Sequence, residues 1–148
     1  MTLAEIDKLT DLQRREAIAR RLGWKPIPKR RHKKIAEPCD LQPLDFPPGE
    51  LSCFSPGHYE DWDDYSKVPP WTTDDGLAFE ELWPKIYATA KVAGKSVFIE
   101  RCAAGVRICW ADAHFFDSPV LEAITNFRDE DADALSRAFL AVVPEVRG

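Results

Sequence analysis

The sequence predicts an α+β fold, ordered as an N-terminal helix, a long Pro-rich connection, and then a helix, a three-stranded antiparallel sheet and a C-terminal helix as an alpha-beta-alpha sandwich. Three observations lead there. Apolar residues recur at helical spacing at both ends of 72–148, SVFIERC and VRICWAD alternate on either side of Ala104-Gly105, and nine of the twelve prolines fall between residues 25 and 71. A chain of 148 residues with 45% hydrophobic content has room for one modest core, so 1–148 is expected to be a single domain. Within it, 1–24 is an N-terminal helical segment, 25–71 an irregular connection and 72–148 an αβββα core.

Thr10 and Gln13 fit a capping box, in which the hydroxyl accepts from an orphan amide and the Gln side chain returns a bond to the cap backbone. Thr2 and Glu5 repeat the pattern earlier and predict a short preceding helix. Leu12, Ala17, Ile18 and Leu22 supply the apolar face, and Gly23 a left-handed stop. The prolines of 25–71 remove ladder donors and interrupt helices, so that segment reads as extended and irregular.

In the core, Phe79, Leu82, Trp83, Ile86, Tyr87 and Ala90 share a helical face that Gly94 ends. Pro84 should kink that helix or break it in two, because its ring clashes with the carbonyl four residues back. The two alternating runs form a hairpin. An even loop, with Cys102 opposite Arg107 and Glu100 opposite Cys109, gathers Val97, Ile99, Val106, Ile108 and Trp110 on one face. Cys102 and Cys109 are then diagonal neighbours, roughly 7 to 8 Å apart and too far for an undistorted disulfide. The other face, with Phe98, Glu100, Cys102, Arg107, Cys109 and Ala111, suits a cover by the Pro-rich segment or a symmetric contact with a second copy, and a homodimer is the expectation.

Residues 118–127 fit both a helix starting at Ser118-Pro119 and a strand with Leu121, Ala123, Thr125 and Phe127 on one face. The strand is expected, since a two-stranded hairpin alone is marginal. Asp129, Glu130, Asp131 and Asp133 crowd the start of the last helix, where the dipole favours negative charge, and Leu135, Ala138, Phe139 and Val142 make its buried stripe.

Charge is divided along the chain: residues 1–34 carry 11 Lys and Arg against 4 Asp and Glu, and residues 35–148 carry 9 against 21. The run KRRHKK, with Lys29, Arg30, Arg31, Lys33 and Lys34, could grip phosphates as an arm or lie as a solvated linker on acidic surface. No apolar run approaches the roughly 20 residues needed to cross a bilayer, and MTLAEIDKL lacks the order of a signal peptide, so no membrane partner and a cytoplasmic location are expected. The four cysteines, Cys39, Cys53, Cys102 and Cys109, form no CxxC pair and are expected as free thiols.

The stretch PWTTDDG raises the sharpest functional question. Thr72 or Thr73 can cap the helix with Asp74 and Asp75 in its first turn; alternatively, Trp71, Thr72, Thr73 and Asp74 line a pocket for a polar ligand at that helix end. Cys39, Cys53 and His58 match no strong zinc spacing, and His32, His58 and His114 stand in no nucleophile motif. GxxxxGK[ST] and GxGxxG loops are absent, so the sequence suggests neither a cofactor nor an enzyme.

The N-terminal helix closing in Gly23-Trp24, the PWTTD at 70–74 and the final ALSRAFLAV at 134–142 resemble the phage ABA sandwich domain family over about two thirds of the chain. That resemblance implies α-β-α layers in a phage or prophage setting, and it carries no reaction and no catalytic residues. The double-stranded RNA-binding domain shares the element order, but its phosphate-gripping basic helix has only Arg137 to answer it here. The expected function is a non-enzymatic accessory protein in the host cytoplasm that binds a host protein or a small polar ligand, with nucleic-acid binding through the basic arm as the alternative.

Overall fold

The computed structural model describes residues 1–26, 41–42, 69–113 and 121–145. Their elements, in chain order, are α1 (Leu3–Asp7), α2 (Asp11–Arg21), β1 (Lys25–Pro26), β2 (Leu41–Gln42), α3 (Asp75–Glu81), α4 (Trp83–Val92), β3 (Lys95–Cys102), β4 (Gly105–Asp112), β5 (Glu122–Ala123) and α5 (Asp131–Val142). The α+β class, the three-stranded antiparallel sheet ordered β3-β4-β5 and the closing helix are as expected. No helix among the described residues is long and apolar enough to cross a membrane. The basic run 29–34, Cys39, Cys53, all three histidines and Ser118-Pro119 lie outside the described residues.

The chain divides into two compact units, one of Met1–Arg14 with Pro70–Pro144 and one of Arg15–Pro69 with Glu145–Gly148. In the second, α2 ends in a Schellman closure: Gly23 has φ 94°, and the Trp24 amide donates to the Ala19 carbonyl at 2.9 Å. Within the Pro-rich connection β1 and β2 pair antiparallel, Lys25 with Gln42 and Pro26 with Leu41, and residues 27–40 and 43–68 lie outside the described residues. Arg21 lies 3.7 Å from Glu145.

The first unit opens on two capping boxes. Thr2 and Glu5 exchange bonds of 2.9 and 3.2 Å, and Thr10 and Gln13 do the same. Leu12 corrects the expected apolar face, being 50% exposed while Ile18 is fully buried. The two stand six residues apart, and at about 100° per residue they occupy different faces.

Pro84 splits the next helix as predicted. Leu82 is at once the C-cap of α3 and the N-cap of α4, with Pro84 in the first turn, where its missing amide hydrogen costs nothing. Ala78, Leu82, Ile86 and Ala90, spaced by four, run as one buried row through both helices. Tyr87, expected on that face, points elsewhere and is 56% exposed, because it stands one residue beyond Ile86. The positive φ of Gly94, 71°, then turns the chain into β3.

The hairpin corrects the expected partners but keeps the faces. Its loop is Ala103-Ala104, so Cys102 pairs with Gly105, Glu100 with Arg107 and Phe98 with Cys109. The pairing is two residues away from the expected one, which preserves the alternation. Gly105 belongs in the ladder because no other residue fits there: a Cβ would sit 2.2 Å from the Arg128 carbonyl oxygen, with φ at 119°. Cys102 and Cys109 are therefore further apart along the sheet than diagonal neighbours, and both are free. Glu100 and Arg107 instead form a direct ion pair at 2.7 Å, with Arg107 also 4.7 Å above the Phe127 ring. Cys109 and Ala111 are buried within the chain itself, so of the apolar groups on that face Phe98, at 37%, and Cys102 stay exposed.

β5 is a strand, as expected, but only two residues long. The amides of Ile124 and Thr125 both reach the Ile108 carbonyl, at 2.8 and 3.1 Å, and two residues opposing one is the arrangement of a β-bulge. The Thr125 hydroxyl accepts from the Ile108 amide at 3.0 Å in place of a ladder carbonyl, and Val106 resumes pairing with Arg128.

α5 is the centre of the unit. It packs against α1, α3, α4 and β4. Residues 134–140 are buried without interruption, so the expected single stripe is replaced by burial on every side, while Val142 is only half-buried.

Candidate functional site

Two helix starts are built from acidic residues, and a cleft lies beside the second and the threonines that precede the first. At the first, Asp74 and not a threonine is the N-cap of α3, with its carboxylate accepting from the Leu77 amide at 3.0 Å. This corrects the expected cap. A carboxylate is the stronger acceptor for an orphan amide, and it leaves both threonines for other contacts. Thr72 is buried and donates to the Asp11 carboxylate at 2.5 Å, whereas Thr73 is exposed. Trp71 is only 1% exposed and its indole N–H donates to Glu81, so it anchors the helix start in the core rather than presenting its ring to a ligand.

The second start, at Glu130, has no side-chain bond to its own cap, although acids surround it. Asp75 supplies it from the other helix, accepting from the Ala132 amide at 2.8 Å. The acids of α5 serve arginines. Arg101 makes a bidentate pair with Asp131 at 2.6 and 2.9 Å. Asp133 receives Arg128 Nε on one oxygen at 2.6 Å and Arg137 Nε on the other at 2.8 Å, and Arg137 also donates to Asp7. Burial alone would raise the Asp133 carboxyl, but the bonds from Arg137 and Arg128 outweigh it and hold the group below the ordinary carboxylate range. Asp133 is therefore a fixed anion and a poor proton acceptor at neutral pH.

The cleft between these starts has a volume of about 280 Å³. It is lined by Asp11 and Arg14 of α2, by Thr72 and Thr73 before α3, and by Arg128, Asp129, Glu130, Asp133 and Arg137 at and before α5. Of the four residues expected to form a pocket, Thr72 and Thr73 line the cleft and Trp71 and Asp74 do not; Asp129, Glu130 and Asp133, read only as a helix start, line it too. The arginines were missed because a sequence reading assigns charged helix residues to solvent. Two signals were present: Asp133 and Arg137 stand four apart on one helix, and Arg14 lies one turn before the apolar Ile18.

Cys109, the buried thiol of β4, donates to the Phe98 carbonyl across the hairpin at 3.8 Å, and burial pushes it above its ordinary range. Among the described residues no cluster of three His, Cys, Asp or Glu is arranged to hold a metal ion. No protein-family model matches the chain, and no curated protein or solved structure shows significant similarity to it.

Proposed function

We propose that the protein works by binding, as a phage or prophage accessory protein without a reaction of its own, and that it takes a small polar ligand in the cleft beside Thr72 and Thr73. The observation that carries this reading is the lining: every residue in it is charged or a threonine. Such walls recognise a ligand by charge and hydrogen bonds. Within them Asp133 is locked between two guanidinium groups and held as a carboxylate, which suits it to binding rather than to proton transfer. The volume of about 280 Å³ lies just under the range of drug-sized pockets, which favours a ligand of a few heavy atoms over a nucleotide. The phage setting rests on the sequence resemblance alone.

A thermal-shift screen of small amino acids, carboxylates, amines and polyols tests the reading. A stabilising compound is expected, with its effect abolished by Thr73→Trp, which fills the cleft from an exposed position. Stabilisation that survives Thr73→Trp would place the ligand elsewhere.

A second reading rests on the excess of seven positive charges in residues 1–34, with Lys29, Arg30, Arg31, Lys33 and Lys34 at its centre. It predicts co-purified nucleic acid and a log-log salt slope of about −0.9 per phosphate contacted on duplex DNA. Binding unchanged after neutralising Arg30, Arg31, Lys33 and Lys34 together would remove it.

A further inference from the structure

The hydrogen bonds of the cleft leave a residue of charge, and that residue describes a ligand. Asp133, Arg128 and Arg137 satisfy one another, and Arg137 also holds Asp7. Arg14 does not fit this pattern. Its side chain is 17% exposed, yet its Nε is closed to water and has no hydrogen-bond acceptor, and its one ion contact among the described residues is with Asp11 at 3.9 Å. A buried guanidinium N–H without an acceptor costs the desolvation of a charged donor with no return. At the start of α5, Asp129 and Glu130, which also line the cleft, are exposed carboxylates that make no side-chain hydrogen bond or ion pair among the described residues. The cleft is thus lined by a guanidinium whose Nε lacks an acceptor and by two carboxylates without a partner among the described residues.

We infer that the cleft binds a small zwitterion, with its carboxylate on Arg14 and its ammonium between Asp129 and Glu130. The inference rests on the binding role proposed above and names its ligand class. A carboxylate is the planar acceptor that matches the Nε–Nη edge of a guanidinium with two parallel bonds. Because Nε is shut off from water in this conformation, meeting the ligand requires the guanidinium to turn, and a lone contact of 3.9 Å does little to prevent that. An inorganic dianion would also meet Arg14, but it would face the uncompensated charges of Asp129 and Glu130. An amino acid answers both kinds of charge at once.

The experiment is a titration of the full chain, ¹⁵N-labelled, watching the Arg14 Nε–H resonance, which its loss in Arg14→Lys identifies. The probes are glycine, β-alanine, 4-aminobutanoate and 6-aminohexanoate, with acetate, methylamine and inorganic phosphate at matched ionic strength. At least one amino acid should move the resonance saturably, at a concentration roughly three- to fivefold below acetate, the gain expected from one part-exposed ion pair. Asp129→Asn with Glu130→Gln should bring that amino acid down to the acetate level. The inference is overturned if acetate or phosphate saturates as readily as every amino acid, or if Arg14 does not respond. Should the Thr73 and Asp129 amides move while Arg14 stays still, the cleft remains a binding site and only the Arg14 assignment falls. If no probe moves either set, the binding role of the cleft falls with it.

Discussion

The helix starts at Asp74 and Glu130 have nearly the same composition, acids crowded into a first turn, and opposite wiring. The first closes on itself: Asp74 reaches the Leu77 amide three residues on. The second is closed from outside, because Asp75, 57 residues earlier, caps the Ala132 amide, and the acids of α5 are taken by Arg101, Arg128 and Arg137. A run of acids at a helix start therefore has two uses. One is local, in the field of the helix dipole; the other fixes distant elements to the end of a buried helix. Where the second use prevails, charges are matched in pairs, and an unmatched one becomes informative.

The comparison breaks most completely if the first start is not built into the core. Trp71 is buried beside it, so Trp71→Ala should cost about 3–5 kcal/mol in urea denaturation. A loss under 1 kcal/mol, with a ligand effect instead, would return Trp71 to a binding surface. The remote wiring predicts the next largest effect. Arg137→Met removes a buried cation shared by Asp133 and Asp7 and should cost about 3 kcal/mol, the low end for breaking a buried pair, because Arg128 still holds Asp133.

The two caps then sharpen the contrast directly. Asp75→Ala should cost about 1–2 kcal/mol and speed hydrogen exchange at Ala132, in a different helix; Asp74→Ala should cost about 1 kcal/mol and affect Leu77 in its own. Equal and purely local exchange effects would erase the distinction. The pH dependence reads the same network more gently. The folded pKa of Asp133 is depressed, so its stabilisation is complete above the unfolded value of about 4 and is lost as pH falls through the folded one. Asp133→Asn should flatten stability in that acid window, and a slope unchanged by the substitution would assign acid sensitivity to other groups.

These two wirings also explain what the sequence disclosed. The boxes at Thr2–Glu5 and Thr10–Gln13, the break at Pro84 and the positive-φ stops at Gly23 and Gly94 involve residues within a few positions of one another, so their chemistry is visible in the string. The faces of the hairpin were legible from alternation, but the pairing was not, because the close approach of Arg128 to Gly105 sets it from 23 residues away. The burial of α5 on all sides was hidden for the same reason. Arg137 reads as solvated until Asp7, 130 residues distant in sequence, is placed beside it. Two of the nine residues lining the cleft, Thr72 and Thr73, were reached through a motif that suggests a cap; its arginines, Arg14, Arg128 and Arg137, needed three dimensions.

Among the described residues Arg14 makes one ion contact, with Asp11 at 3.9 Å, and its Nε has no acceptor, so the fold itself gains little from the guanidinium. The stability of Arg14→Met in ligand-free buffer tests this, with the smallest effect expected here. Methionine keeps much of the buried stem while removing the charge, so the variant should be as stable as the parent or more stable by up to about 1 kcal/mol. A loss of more than about 1 kcal/mol would mean that the guanidinium is held by the fold itself, and would contradict the account.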